Sequence, residues 1–265
     1  MTPISIRCSR MAVLAVMLAP AGPAAAQEAA AATPADRWVL SATAYFWASE
    51  LDGNGALRGR DFDVDVPFSD IWDSLSVGFM GTAAARKGDW GFYVSPFFVR
   101  IGDDAEVGNA KFRYRNDTTF LGFGGTYRLA DWQSPDTSYG GPKGAQLEAL
   151  AGGRVVDLRL ELNGRHGLPK TDESETWVDP LVGLQGRVEL TDRWELLAEG
   201  DVGGFGVGSD LAWSWLAAVG YRFEPLGHDT FLRAGYRMLH LDYESGGFKW
   251  DVTYKGPLVG LTMKF

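Results

Sequence analysis

The sequence predicts an all-β protein, a transmembrane antiparallel up-and-down β-barrel of ten strands. Apolar and polar residues alternate with period 2 in segments longer than the usual strand of about five or six residues. No apolar run of about 18 residues follows the N-terminal one, which argues against membrane-spanning helices. Aromatic residues stand at the ends of predicted strands beside short turns, as in an interfacial belt. They are Trp38, Trp90, Tyr127, Trp194, Tyr221 and Phe223.

The N-terminus predicts export. Residues 1–26 combine the basic side chains of Arg7 and Arg10, a short apolar run and a small-residue cleavage site after Ala26. This order is typical of a signal peptide, and Pro20 interrupts the apolar run too early for a membrane-spanning helix. We therefore expect a cleaved signal peptide.

The remaining chain divides into an Ala-rich, flexible periplasmic leader over residues 27–36 and one barrel domain over residues 37–265. The single cysteine, Cys8, leaves with the signal peptide, so the mature chain has no disulfide and no cysteine-ligated metal. Without Arg7 and Arg10, 23 of the 25 basic residues remain beside 34 acidic ones, a net charge of −11. Such an acidic protein is not expected to bind nucleic acid.

The predicted strands have two unlike faces. In residues 194–202, one face carries Trp194, Leu196, Ala198, Gly200 and Val202, and the other carries Glu195, Leu197, Glu199 and Asp201. In a soluble sandwich the apolar face packs a core, whereas in a membrane barrel it contacts lipid and the polar face lines the lumen. Alternation alone does not separate the two.

Ten strands, an even number with both termini on the periplasmic side, account for the chain. We place them at 37–50, 75–87, 90–103, 110–130, 145–162, 175–190, 194–207, 210–223, 229–244 and 249–265. Tight turns such as "RKGDW" and "LTDRW" alternate with long outer loops at 51–74 and 163–173. At residues 155–158 the apolar phase shifts by one, which we interpret as a bulge near the outer rim.

Residues 51–74 leave the strand count open. "ALRGRDFDVDV" alternates like a hairpin, and "PFSDIWDSL" has the pattern of a short helical turn. If the hairpin spans the membrane, the barrel has 12 strands. We favour an extracellular loop able to fold inward.

The last ten residues, "GPLVGLTMKF", alternate with period 2 and end in an aromatic residue. This ending resembles the terminal strand of Gram-negative outer-membrane β-barrels. The segments "YFWA" (45–48), "WVDP" (177–180), "GDVGGFG" (200–206) and "GYR" (235–237) are similar to a group of small porin-like outer-membrane proteins without an assigned chemistry. The resemblance implies an outer-membrane location, contact with outer-membrane lipid and lipopolysaccharide, and recognition of Phe265 by the barrel-assembly machinery.

Charged residues on the predicted inner faces form the candidate site. With a two-residue turn at Gly208 and Ser209, Glu195 should face Arg222 and Glu199 should face Ala218. We expect a salt-bridged network that fills the lumen, or opposed charges that set a field in a narrow pore for small polar solutes. Its members are Glu148, Arg154, Arg187, Glu195, Glu199, Asp201, Arg222, Arg233 and Arg237, with Arg128 beside them.

A catalytic role is the alternative, as a barrel-type lipid A modifying hydrolase. Of the three histidines, His166 falls in a loop, His228 in a periplasmic turn, and His240 near the outer end of its strand with Asp242 on the same face. The deacylase pattern His-x-Ser is not met, because Asp242 takes the serine position and is not a hydroxyl nucleophile. We therefore predict a non-catalytic protein.

No cofactor or metal is expected. The acidic run "DESE" at 172–175 is typical of a solvated loop rather than a calcium site. The glycine-rich run "GDVGGFGVG" at 200–208 lacks dinucleotide-binding spacing, and a strand rather than a helix follows it. We interpret it as a corner of the barrel wall.

Overall fold

The computed structural model describes residues 37–57, 60–107, 110–134, 142–164 and 170–265. The predicted signal peptide, the leader and His166 lie outside the described residues. Among the residues described, no helix is long and apolar enough to cross a membrane.

The described residues form twelve strands, one α-helix and a short 3-10 helix (Pro225–Gly227), and the bounds of the strands follow the period-2 segments closely. They are β1 (Val39–Trp47), β2 (Glu50–Leu57), β3 (Arg60–Val66), α1 (Phe68–Ser74), β4 (Leu75–Lys87), β5 (Trp90–Val107), β6 (Ala110–Gln133), β7 (Gly144–Gly164), β8 (Lys170–Glu189), β9 (Trp194–Gly204), β10 (Leu211–Phe223), β11 (Thr230–Ser245) and β12 (Phe248–Lys264).

Ten antiparallel strands, β1 and β4 to β12, close into a barrel through the pairing of β1 with β12. We call the pairing of β1 with β12 the seam. Its hydrogen bonds continue to Phe265, whose amide donates to the Leu40 carbonyl at 2.8 Å. Closure leaves the ten strands without a free edge where β1 pairs with both β4 and β12, whereas among the described residues β3 pairs with β2 alone. The ten-stranded barrel predicted from the sequence is confirmed.

The two extra strands explain the ambiguity of 51–74. β2 continues the path of β1 along β12, where Leu51 pairs with Tyr254, and β3 pairs with β2. The predicted hairpin and helical turn both exist, as β2–β3 and α1. β2 and β3 extend the wall beside β12, where a loop was expected, while Val64 of β3 and Ile71 of α1 join the buried core, so part of the segment does face inward. Its extracellular placement stays a prediction.

The barrel has two unlike ends. The end that holds Val39 and Lys264, here called the terminal end, carries the β4–β5 and β8–β9 turns. At the opposite end, called the hairpin end, the strands extend into residues that were predicted to form long loops. The predicted bounds of the loop at 163–173 are too wide, since β7 reaches Gly164 and β8 starts at Lys170; residues 165–169 lie outside the described residues.

Apolar side chains cover the outside of the barrel near the terminal end. On β8 the outward residues from Val178 to Val188 include Val182 and Leu184, each about half exposed at 50% and 52%. A strand segment of about ten residues at the usual tilt is about 25 Å tall, the height of a lipid-facing band. Paired aromatic rings border this band at the terminal end: Trp90 with Tyr127, and Trp194 with Tyr221.

The polarity of the wall inverts towards the hairpin end. On β11, Leu232 and Tyr236 face outward while Arg233 and Arg237 face the lumen. Further along the same strand the outward positions are polar, with His240, Asp242 and Glu244, and the inward ones are Leu239, Leu241 and Tyr243. The hairpin half therefore has the organisation of a water-soluble barrel, with its apolar side chains inside.

This inversion corrects the interpretation of residues 155–158. The β6–β7 and β7–β8 registers are continuous there, and the one β6–β7 shift lies between Arg128 and Ala130. The apolar phase changes because Leu150 and Leu158 point inward, as Glu148 and Arg154 do, while Asp157 points outward. The apolar residues therefore switch from the outer to the inner face because the surroundings of the strand change. In the sequence this switch has the same pattern as a β-bulge.

Candidate functional site

A cavity of about 440 Å³ occupies the lumen from the terminal end to about mid-height. Its lining begins at Val39, Arg128 and Lys264 and ends against Trp47 and Phe97. Beyond these rings the lumen is filled by buried apolar side chains. They include Val64, Ile71, Val156, Leu158, Trp177, Leu239, Leu241, Tyr243, Trp250 and Val252.

Four aromatic rings form the boundary between the cavity and this packed half. Phe97 stacks on Phe120 with centroids 5.1 Å apart, and Trp47 and Tyr254 meet them edge-on at 5.9 Å and 5.4 Å respectively. All four rings are buried, and they come from β1, β5, β6 and β12. We call Trp47, Phe97, Phe120 and Tyr254 the aromatic layer. The guanidinium of Arg237 lies under it, 5.1 Å from the Trp47 ring.

Most of the predicted network lies together on the cavity wall. Arg154 Nη2 donates to both oxygens of Asp201 at 2.9 Å and 3.1 Å, and the Ser214 hydroxyl also donates to Asp201. Gln185 donates to Glu199 at 2.9 Å. Buried charges need such partners, because removal from water is costly.

Glu195 pairs with a different arginine from the one predicted. Its Oε1 accepts from Arg233 Nε and Nη2 at 2.8 Å and 2.6 Å, and Arg187 Nε lies 3.8 Å from Oε2. The predicted partner, Arg222, instead binds Asp229 at 2.6 Å on the rim at the terminal end, outside the cavity. Here Glu195 faces Gly220 and Glu199 faces Leu216, so the predicted register is wrong.

The glycine-rich run explains the register error. β9 ends at Gly204 and β10 starts at Leu211, so six residues form the turn rather than two. Gly204 has φ 86° and Phe205 has φ 53°, and the Val207 amide donates to the Gly204 carbonyl at 3.0 Å. The interpretation as a corner of the wall is consistent with this geometry.

A buried carboxylate holds that turn in place. Asp179 is fully buried and accepts from the amide of Ser209 at 2.6 Å and from its hydroxyl at 2.9 Å. Trp177 Nε1 donates to the same hydroxyl at 2.9 Å. A side chain at Gly208 would meet Asp179 Oδ1 at 2.6 Å, so the glycine permits this close approach.

Two basic residues of the cavity were missed from the sequence. Arg86 contacts Glu148, which is itself in the predicted network, and donates to the Thr126 hydroxyl at 3.3 Å. Lys264 lines the cavity with its ammonium 4.5 Å from the Phe231 ring. The signal for Arg86 was present, because Thr82 and Ala84 share its inward face on β4, but the residue was read as part of a turn.

The cavity wall carries more basic than acidic groups. Among the described residues, the lining contains seven basic side chains and three carboxylates. The basic ones are Arg86, Arg128, Arg154, Arg187, Arg233, Arg237 and Lys264, and the carboxylates are Glu148, Glu199 and Asp201. Outside the cavity, at the rim, Lys143 contacts Asp192 and lowers the pKa of that carboxyl below its usual value.

His240 lies on the outer surface above the apolar band. Its ring stacks on Trp213 at 5.4 Å, its Nδ1 lies 3.1 Å from the Thr253 hydroxyl, and its Nε2 lies 3.9 Å from Asp251 Oδ1. Asp242 lies on the same face. In the described part of the chain, no group of three or more His, Cys, Asp or Glu residues is placed to hold a metal ion.

Comparison with known proteins finds no matching family model. No curated protein matches the chain either.

Similar solved structures do exist. One is the outer membrane protease OmpT from Escherichia coli, at 10% identity and TM-score 0.48, covering 86% of this chain and 97% of that chain. Another is the attachment invasion locus protein Ail of Yersinia pestis, at 13% identity and TM-score 0.35, covering 87% and 99%. A third is Neisserial surface protein A, at 15% identity and TM-score 0.31, covering 86% and 97%.

These neighbours are Gram-negative outer-membrane β-barrel proteins. The sequence had predicted that likeness. At such identities and TM-scores it carries no inference about function.

Proposed function

We propose that this chain is an integral outer-membrane barrel with a closed lumen, a non-catalytic structural protein of the envelope rather than an open porin. The apolar band supports the membrane placement, because exposed valine and leucine side chains such as Val182 and Leu184 would be unfavourable in water over so large an area. The polar exterior of the hairpin half, with Asp157 and Asp242, suits a part that projects beyond the lipid.

The aromatic layer is the observation that carries the closed lumen. Trp47, Phe97, Phe120 and Tyr254 are buried against one another, and among the described residues mostly apolar side chains pack the lumen beyond them, with a few buried polar ones such as Asn116 and Thr118. Close-packed interiors have few voids as large as a water molecule, so hydrated ions have no path through this half. The charges of the cavity then line a vestibule rather than a channel.

Single-channel recording in planar bilayers tests this function. Heat-modifiable migration on a denaturing gel first establishes that the reconstituted protein is folded. We expect no discrete conductance steps from the folded wild-type chain, while a general porin inserted by the same procedure conducts. Reproducible steps whose ion selectivity changes in Arg237→Gln would contradict the closed lumen and support the pore.

A lipid A modifying hydrolase is the second candidate, favoured by one contact that the sequence did not reveal. The Thr253 hydroxyl lies 3.1 Å from His240 Nδ1, and Asp251 lies 3.9 Å from the other ring nitrogen. A hydroxyl, an imidazole and a carboxylate in reach of one another are the groups that nucleophilic catalysis requires. The 3.9 Å contact is long for a hydrogen bond, and His240 and Thr253 also form an ordinary cross-strand pair.

Mass analysis of lipid A separates these two functions. Cells expressing the wild-type chain should give the same lipid A masses as cells expressing His240→Ala. If lipid A loses an acyl chain, and if that loss requires both His240 and Thr253, the protein is a hydrolase and the proposed structural function is wrong.

Recognition of Phe265 by the barrel-assembly machinery is part of the proposal. Phe265 is 58% exposed at the seam between β1 and β12, where a partner can reach its ring. Deletion of Phe265 should reduce the folded fraction in cells more than folding of the purified chain into detergent.

A further inference from the structure

We infer that the cavity at the terminal end is a binding site for a small solute that carries phosphate or carboxylate groups. The inference goes beyond the proposed function and does not depend on whether the lumen conducts. It rests on buried arginine nitrogens that have no hydrogen-bond partner in the described part of the chain, on the charge of the wall and on the size of the cavity.

Four arginines of the cavity wall have a buried nitrogen with no hydrogen-bond partner among the described residues. These nitrogens are Arg86 Nη1, Arg128 Nε, Arg154 Nη1 and Arg187 Nε. Buried donors in folded proteins nearly always have partners, so four unpaired ones on one cavity indicate that something else accepts from them.

Arg154 gives the clearest evidence for a bound anion. The residue is only 5% exposed, and its Nη2 is fully engaged by Asp201 and Ser214. Its Nη1 belongs to the same rigid planar group, so it remains at the cavity wall while Nη2 stays bound. A guanidinium that donates to a carboxylate on one side can donate to a second oxyanion on the other.

Arg86 repeats this arrangement nearer the terminal end. Its Nη2 contacts Glu148 and the Thr126 hydroxyl, while Nη1 has no partner among the described residues. Arg187 is less engaged still, because its Nε lies 3.8 Å from Glu195 Oε2, beyond hydrogen-bond distance, while Arg233 binds Oε1 of the same carboxylate. Arg86 comes from β4, and Arg154 and Arg187 come from the neighbouring strands β7 and β8, so the donors reach the cavity from two places on the wall.

The charge of the wall favours an anion over water alone. Even when the three lining carboxylates are counted together with Glu195, which pairs with Arg233, and with Asp89 and Asp131, which pair with Arg128, the seven basic side chains outnumber the six acidic ones by one. Water can accept hydrogen bonds from the free nitrogens, but it does not neutralise this excess. A basic cavity with a low-dielectric wall concentrates anions.

The cavity also sets the size of the ligand. About 440 Å³ falls within the usual range of about 300–1,000 Å³ for small-molecule sites. The aromatic layer closes one side, so entry is from the terminal end. Phosphate, pyrophosphate or citrate fits these limits, whereas an extended polymer does not.

Titration calorimetry on the full chain, folded in an uncharged detergent, tests the site. Inorganic phosphate, pyrophosphate and citrate are the probes, with chloride adjusted to keep ionic strength constant. We expect binding of at least one probe, and about tenfold weaker binding in Arg187→Gln, since one charged donor is lost. Arg187→Lys, which keeps the charge but not the planar fork, should lie between.

Arg222→Gln is the matched control. Arg222 lies on the rim outside the cavity, so its removal changes the net charge by the same amount and should leave binding unchanged.

A third arm uses short-chain phosphatidic acid, which carries the same phosphate chemistry from a membrane lipid. Binding of the free anions assigns the site to a solute, and binding of the lipid alone assigns it to a headgroup.

The inference is overturned if the folded wild-type chain binds none of these probes at about 10 mM. It is equally overturned if Arg187→Gln and Arg222→Gln weaken binding to the same extent, since the attraction would then be to net charge rather than to the cavity. Neither result depends on conductance, so failure here is distinct from failure of the closed lumen.

Discussion

Arg233 on β11 reaches across a whole strand to bind Glu195 on β9, with Nη2 and Nε 2.6 Å and 2.8 Å from Oε1. The residue between them on β10 is Gly220, which pairs with both. A Cβ atom at this position would lie 2.7 Å from Glu195 Cγ. The missing side chain therefore makes the ion pair possible.

Removal of Arg233 should be strongly destabilising. Arg233→Met leaves Glu195, whose side chain is 4% exposed, without its main partner, at a cost of about 3–5 kcal/mol in the free energy of unfolding. The double variant Arg233→Met, Glu195→Met removes both charges and should recover most of that loss. Urea unfolding in detergent measures it, and a double variant as unstable as the single one would contradict the explanation.

The turn after β9 offers a matched pair of glycines. Gly204 and Gly206 both have positive φ, but a Cβ at Gly204 would lie 2.5 Å from the Ser209 carbonyl oxygen, whereas nothing lies within 4 Å of one at Gly206. Gly204→Val should therefore lower the midpoint unfolding temperature much more than Gly206→Val. Equal losses would mean that backbone strain alone, and not the close packing of the turn, requires glycine here.

Asp179 should control the order of the same turn. Asp179→Ala removes the acceptor of two hydrogen bonds from Ser209 and leaves buried donors unpaired, for a loss of about 3 kcal/mol. Cleavage within residues 205–210 by a broad-specificity protease should accelerate, with Asp210→Ala, an exposed neighbour, as the control. Equal cleavage of both variants would mean that Asp179 does not hold the turn in place.

Two outward positions on β8 probe the edge of the lipid-facing band. Val182→Arg places a charge within the band and should cost about 2–4 kcal/mol of folding free energy in bilayers. Thr176→Arg, further along the same face, lies beside Asp157 and should cost little. Folding titrations in lipid vesicles measure both, and similar costs for the two variants would argue against a boundary between them.

Much of the barrel could be predicted from the sequence because the strand pattern is local. Period-2 alternation and aromatic strand ends such as Trp194 placed ten strands, and β4 has the predicted bounds. The lumen-facing positions of Glu148, Arg154 and Asp201 followed from the same alternation.

The predictions are wrong where the position of a residue depends on contacts with residues that are distant in the sequence. The wrong pairing of Glu195 came from the length of a turn that Asp179 and Ser209 fix from a neighbouring strand. The supposed bulge at 155–158 came from an environment that changes along a straight strand, which no single window of sequence reveals. The aromatic layer was missed for a similar reason, since Trp47 and Tyr254 meet only after closure of the barrel.

The depth of successive residues of β11 in the membrane shows directly whether the polarity of the barrel wall inverts where the strand leaves the lipid. Nitroxide labels placed singly at outward positions of β11 (232, 234, 236, 240, 242 and 244) report collision with oxygen in lipid and with a water-soluble nickel complex. We expect oxygen-accessible labels from 232 to 236 and nickel-accessible labels from 240 to 244, with a single change of environment between Tyr236 and His240. Water accessibility at all six positions, or lipid exposure at all six, would contradict a barrel whose polarity inverts where it leaves the membrane.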